Sequence, residues 1–438
     1  MNARDFLKQE HDNVKQLLEQ SLRYEYGFEG SQEFFEECGT RLSFISQWLG
    51  SPDELVADDL ANIGYQLNEL SKLICRIERS SLGEYSWPFV EELKKLATGI
   101  CTEDGLEGQY PPKIYVLAGG GLDAYRIYPE MRRPMASRRR LLTIVFPKTL
   151  KHFVLLHPIL GHEIGHALWG CTKQQAHLVG KVLSVLKRLG GKFESEDVTA
   201  VHLFDSQAPH DAQAALAALA NLRVDEANFF GQWARWEFWL DEILCDLVGL
   251  ATFGPSFAAA QCGLLSTLDP AGVTTGRMHP PVGWRINLVL RAAELLNLSE
   301  PPPDPHPLRQ SFLAFWDELQ RFRRPEPWFN VFDDNQIVDA LDGIFQLLNQ
   351  YPPSGYPKTD FDALGELVQQ LANGVPPIGF HMSEGGAPVC SRVDFRHIVY
   401  AGWISRHSLQ PHSFDITNRL CEHAIMQQIA IDTAMSQP

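Results

Sequence analysis

Long apolar runs are scarce in this chain of 438 residues, and the one stretch of membrane-spanning length, Leu247 to Leu268, is interrupted by Gly254-Pro255 and diluted by Ser256, Gln261, Cys262, Gly263 and Ser266. A bilayer span takes about 20 mostly apolar residues. The stretch is therefore expected to form a buried pair of helices, with no membrane insertion. The eight cysteines, at 38, 75, 101, 171, 245, 262, 390 and 421, include no C-x-x-C pair. That spacing excludes a small disulfide scaffold and points to reduced thiols. Basic residues are outnumbered, 38 Lys and Arg against 54 Asp and Glu for a formal net charge of −16, which opposes binding to nucleic acid or an anionic surface. The exception, the run from Arg132-Arg133 to Arg138-Arg139-Arg140, has no interleaved aromatics and reads as a solvated loop. The segment Met1 to Glu10 is too charged for a secretory leader, so a cytoplasmic chain is expected.

Hydrophobic residues are plentiful at 45%, and a chain of this length exceeds the ~250–300 residues at which a single core stops growing. Three units are expected: a helical N-terminal domain over 1–105, a middle domain over 106–300 and a helical C-terminal domain over 301–438. In the first, Ser51-Pro52-Asp53-Glu54 reads as a helix start. Val56, Leu60, Ile63, Leu67, Leu70, Ile74 and Ile77 follow at alternating spacings of four and three, a heptad seam. A helical bundle with the Phe6 to Leu22 segment would use that seam, and a homo-oligomer through the N-terminal helices is the other use. In the middle part, Lys113 to Leu117 and Leu141 to Phe146 read as strands. Gln175 to Leu189 and Ala212 to Leu222 read as helices of an insertion holding His202 and His210, which look like surface residues. Pro301 to Pro307 reads as a stiff connector. Helices are expected near 309–322, 336–350, 360–373, 393–407 and 415–436. The fold class is thus mainly α with a small β-sheet.

Chemistry enters at His162-Glu163-Ile164-Gly165-His166, an H-E-x-x-H run. On a helix, positions i and i+4 share a face, so both imidazoles can bind one zinc while Glu163 leans toward its water as general base. Pro158 suits the first turn and Gly170 a stop. A third ligand is needed. Glu242 and Asp246 lie four residues apart in the apolar stretch Trp239 to Ala251, where ionised carboxylates cost several kcal/mol unless each meets a metal, a cation or donors. Glu242 as ligand and Asp246 as acceptor for the free N–H of a ligating histidine would satisfy both. Glu237 and Asp241 form a rival pair in an aromatic context. A histidine at 172 would have indicated another zinc motif, but Thr172 stands there and Trp169 replaces its glycine. Cys171 and Cys245, although close to these motifs, read as packing residues.

H-E-x-x-H, then E-x-x-x-D, then His279-Pro280-Pro281-Val282-Gly283-Trp284-Arg285 together resemble the gluzincin peptidases that include CaaX prenyl endopeptidases and bacterial membrane stress proteases. The likeness covers roughly residues 110 to 295. Ala118 to Tyr125 matches the family's link between strands only loosely, and no membrane span accompanies it. The resemblance implies a zincin-like metallopeptidase core with a small sheet, one Zn2+ per chain held by His162, His166 and Glu242, catalysis by Glu163 and His279, support from Asp246 and Arg285, and a peptide or protein as substrate. For His279 the alternative is a helix-entry turn, with Arg285 pairing an interior carboxylate. A zinc-binding scaffold that cuts nothing, or binds a partner, is the alternative for the whole chain.

Overall fold

The computed structural model describes residues 3–23, 31–51, 55–79, 86–105, 108–110, 112–119, 125–130, 141–147, 149–168, 226–270, 272, 279–324, 334–349, 354–382, 388–390, 393–408 and 411–436. These are mostly helical, with three small sheets. The chain divides into two compact units, one made of 1–87 and 101–151, the other of 88–100 and 152–438. The expected boundaries at 105 and 300 do not coincide with this division, and Pro301 to Pro307 runs inside the second unit. The expected insertion helices at 175–189 and 212–222, His202, His210, the basic run 132–140, Gly170, Cys171 and most of the 118–125 link lie outside the described residues.

The first unit opens with α1 (Ala3–Ser21), α2 (Ser31–Gly50) and α3 (Ala57–Arg79). One apolar cluster joins them: Leu7, Val14 and Leu18 of α1, Phe35, Cys38, Leu42, Ile45 and Leu49 of α2, and Ile63, Leu67, Leu70, Leu73 and Ile74 of α3. The seam is thus spent inside the unit. It also begins later than expected, because α3 starts at Ala57 and Val56 is 62% exposed. Val56 instead caps the helix through its backbone, its N–H donating to the Asp59 carboxylate three residues on at 3.3 Å. Arg4 ties the ends of α1 and α2 by donating to the Leu49 carbonyl at 3.0 Å.

Behind the helices come a two-stranded ribbon, β1 (Glu103–Gly105) with β2 (Gly108–Tyr110), and a three-stranded sheet of β3 (Lys113–Gly119), β4 (Arg126–Glu130) and β5 (Leu141–Pro147). The sheet order is β3-β5-β4; β5 is parallel to β3, with Leu141 opposite Lys113, and antiparallel to β4, with Ile144 opposite Ile127. Leu142 to Phe146 are all buried, as a central strand covered on both faces requires, and Val145 joins the helical core.

The second unit takes in the inner part of α4 (Trp87–Cys101) and a 3-10 turn, His157–Ile159, that leads into α5 (Leu160–Leu168). The helices α6 (Glu226–Phe253), α7 (Pro255–Leu268) and α8 (Val282–Leu295) follow. Then come α9 (Arg309–Gln320), α10 (Asp334–Leu348), α11 (Phe361–Ala372), the ribbon β6 (Phe380–Met382) with β7 (Pro388–Cys390), α12 (Phe395–Ser405) and α13 (Phe414–Ser436). The expected helical pair over 247–268 is present as the end of α6 and all of α7. Among the described residues no helix is long and apolar enough to cross a membrane. The corner between the two is Gly254, at φ 57°, where a side chain would meet the Tyr356 ring at 2.7 Å.

The C-terminal helices belong to the same body as the H-E-x-x-H helix. Trp403 of α12 donates to the Leu155 carbonyl at 3.0 Å, and Asn418 of α13 accepts from the Leu155 N–H at 3.1 Å. Both contacts hold the segment that feeds α5. Arg396 ties α12 to the end of α6, donating to the carbonyls of Thr252 at 2.9 Å and Ser354 at 2.9 Å while Asp394 neutralises it.

Candidate metal centre

Glycines decide how closely α5 and α6 approach. A Cβ on Gly161 would lie 2.9 Å from the Gly249 Cα, and one on Gly165 would lie 2.6 Å from the Cys245 Cα. Both spacings are shorter than any real side chain tolerates, so the two backbones touch through a four-residue repeat of small residues on each helix. His162 and His166 each follow one of these glycines. The contact therefore delivers both rings to the face of α6 that carries Glu242 and Asp246.

His162 Nε2 lies 3.3 Å from Glu242 Oε2, and His166 Nε2 lies 3.3 Å from Glu242 Oε1. Bonds of ~2.0–2.1 Å to a tetrahedral zinc place neighbouring ligand atoms roughly 3.3 Å apart. The three residues form a group whose ligand atoms all fall within 4.8 Å of one another, and that group can hold a metal ion. Two of its members are buried, while His166 is 30% exposed and marks the side from which the site is reached. The Glu242 Oε2 atom is buried and makes no well-aligned hydrogen bond among the described residues, although His162 Nε2 and Arg285 Nη1 lie 3.3 and 3.5 Å from it. The rival, Glu237, sits on the same helix, and its side chain lies outside the described residues.

Around this group is a charged shell centred on Asp246. Asp246 Oδ1 accepts from His162 Nδ1 at 2.8 Å, from Gln261 Nε2 at 2.9 Å and from Arg285 Nη2 at 2.8 Å, while Oδ2 accepts from Arg285 Nε at 2.6 Å. Four donors fill the carboxylate's capacity. Arg285 also brings Nη1 to 3.5 Å from Glu242 Oε2. Burial opposes the charge on His162, yet the Asp246 and Glu242 carboxylates outweigh it and raise its pKa to about 10. Burial likewise works against ionised Glu242 and Asp246, but His162, His166 and Arg285 hold Glu242 well below the usual carboxylate range, and Arg285 with His162 does the same for Asp246.

His279 stands just before α8, where Pro280-Pro281 starts the helix, and Trp284 N–H donates to the Pro281 carbonyl at 3.0 Å. The entry turn and a place at the site coexist: His279 Nε2 is 3.6 Å from Glu242 Oε1 with a side chain 60% exposed. Burial, aided by Arg285, His162 and His166 against the pull of Glu242, lowers its pKa, so the ring is neutral at physiological pH. Glu163, half-buried, follows His162 on α5. All the residues selected from the sequence, namely His162, Glu163, His166, Glu242, Asp246, His279 and Arg285, thus fall on or beside one cluster of α5, α6 and the start of α8.

Two residues at the site escaped the sequence reading. Gln261 donates to Asp246 from α7, a helix with no recognisable motif, and nothing local marks it. Cys245, read as a packing residue, places Sγ 3.3 Å from His166 Nδ1. Burial, then the carboxylates of Glu242, Glu163, Asp246 and Asp241, push this thiol well above its usual range, so it is neutral. Its position immediately before Asp246 was the available signal. Among protein-family models, curated proteins and solved structures, none matches this chain.

Proposed function

We propose that the chain is a zinc metallopeptidase of gluzincin type, with a zincin-like core in its second unit and a peptide or protein as substrate. The observation that carries the reading is the convergence of His162 Nε2, His166 Nε2 and the Glu242 carboxylate, each ring nitrogen 3.3 Å from a carboxylate oxygen and all ligand atoms within 4.8 Å of one another. Glu163 in the H-E-x-x-H run separates a catalytic site from a structural one, since it stands outside the ligand set.

Bound zinc would supply Lewis acidity, lowering the pKa of water toward ~7 and polarising a carbonyl oxygen. Glu163 takes the proton from the attacking water and passes it to the leaving amine. His279, neutral and half-exposed beside Glu242, donates an N–H to the oxygen on which negative charge develops; loss of such a donor costs ~10²–10³ in rate. Asp246, held from the other side by Arg285 and Gln261, fixes the His162 ring with its Nδ1 as donor. The more exposed side, at His166 and His279, admits the substrate.

Replacing Glu163 with Gln keeps size and helix propensity while removing the base. Glu163→Gln is expected to retain stoichiometric zinc and lose cleavage of unstructured polypeptides by at least ~10²-fold. Elemental analysis with and without a chelator, run beside the cleavage assay, reads both. Zinc bound without any cleavage that the Gln variant abolishes would turn the reading to a zinc-holding scaffold, and absence of zinc would overturn both.

A further inference from the structure

The two ligand histidines are held by different chemistry on their outer nitrogens. His162 Nδ1 meets a carboxylate, Asp246, at 2.8 Å. His166 Nδ1 meets a sulfur, Cys245 Sγ, at 3.3 Å, a normal separation for a hydrogen bond to a thiol. The other nitrogen of the His166 ring, Nε2, faces Glu242 Oε1 at 3.3 Å. The thiol therefore sits on the side of the ring away from the metal position and is no ligand itself.

The contact is built from two chain positions. Cys245 is fully buried. It packs on Gly165, where an added Cβ would lie 2.9 Å from Sγ as well as 2.6 Å from the Cys245 Cα. Only a residue without a side chain at 165 leaves the sulfur room beside the ring that follows. Helical spacing then does the rest: Cys245 comes three residues after Glu242, so the group that would bind metal and the group that aims the neighbouring ring share one face of α6.

We propose that Cys245 is the positioning residue of His166. Its sulfur accepts the Nδ1–H and holds the ring with Nε2 toward the metal position, the place that the Asp246 carboxylate takes behind His162. This rests on the metal reading above, though not on peptidase activity. Behind the His162 ring stands a carboxylate that Arg285 matches; behind the His166 ring stands a sulfur.

The test uses the full-length protein and zinc affinity measured by competition with a chromophoric chelator. Cys245→Ala is expected to weaken zinc binding about 10–100-fold, the usual cost of removing a partner behind a ligand. Cys245→Ser, which keeps an acceptor, restores most of it. Cys421→Ala, at another fully buried cysteine of the same unit, whose thiol donates to the Ile398 carbonyl, leaves affinity unchanged. Thermal unfolding of the zinc-free variants checks that each folds. Unchanged affinity in Cys245→Ala overturns the proposal, as does a Ser variant no better than Ala, because then only sulfur's volume matters. Wild-type protein that binds no zinc overturns it together with the proposed function. Wild-type protein that binds zinc but cuts nothing, with the Ala and Ser variants behaving as expected, sustains this proposal and sinks only the peptidase.

Discussion

The helix pair α5 and α6 and the bundle of α1, α2 and α3 solve opposite problems with the same secondary structure. In the bundle, Leu, Ile, Val and Phe side chains meet at the core, and buried polar groups are few: His11 Nε2 lies 3.0 Å from the Leu42 carbonyl and Arg41 pairs with Glu37 one turn away. Between α5 and α6 glycines let the backbones meet, with Phe253 and Phe257 packed against them, and the buried Glu242 and Asp246 carboxylates lie on the same face of α6. Such burial is expensive unless every charge finds a partner.

Removing a charge partner should break this contrast most strongly. Arg285→Ala takes from the Asp246 and Glu242 carboxylates the buried guanidinium that contacts both and should cost about 3–5 kcal/mol in the zinc-free protein. Urea unfolding with and without zinc reads it, and zinc should recover part of the loss. A variant as stable as wild type without metal would mean that the charges are not coupled as the distances imply. In the bundle, Leu67→Ala should cost ~2–5 kcal/mol through an unfilled cavity. That loss should be the same with or without zinc, and zinc content should not change.

Backbone contact can be tested in the same way. Gly165→Ala drives a Cβ to 2.6 Å from the Cys245 Cα, and such overpacking should cost about 1–3 kcal/mol and weaken zinc binding as the helices separate. Acid should weaken it too. With its pKa near 10, His162 is protonated at neutral pH in the metal-free protein, so zinc uptake expels a proton and apparent affinity should fall about tenfold for each pH unit lowered. The same raised pKa gives the zinc-free fold a contribution that is complete below the unfolded value near 6.5 and is lost as pH rises through about 10. A zinc affinity independent of pH between 6 and 8 would contradict a protonated His162. The smallest effect has the opposite sign: Gly39→Ala in α2, whose Cβ would meet only Leu18 at an ordinary 3.8 Å, should stabilise the protein by ~0.5–1 kcal/mol.

Much of the architecture was legible because periodicity is a local property. The five helices beyond Pro307 run within two or three residues of their expected bounds, and the strands at 113 and 141 are in place, since apolar spacing and β-branched content report directly on which face is covered. Val56 was misplaced into the seam because spacing alone does not mark where a helix begins; the Asp59 carboxylate, capping from three residues on, does. The His162, His166, Glu242 and Asp246 cluster was accessible for a similar reason. A four-residue repeat of ligand-type side chains in an apolar helix has few stable outcomes in which the charges stay unpaired. Gln261 and the thiol contact of Cys245 were not legible in the same way, since each depends on a partner 15 or 79 residues away.

What the sequence determined by itself is the set of helices and the residues that cannot be buried alone: two imidazoles, two carboxylates and Arg285, all placed on helical faces by 3.6-residue geometry. What only the tertiary structure decided is which nitrogen of each ring faces the metal position and how near α5 stands to α6. Those depend on backbones meeting at Gly161, Gly165 and Gly249, and on α7 and α8 bringing Gln261 and Arg285 to Asp246. Distances of 2.6 to 3.3 Å between residues far apart in the chain are set by packing, and packing is a property of pairs of surfaces that no single stretch of sequence contains.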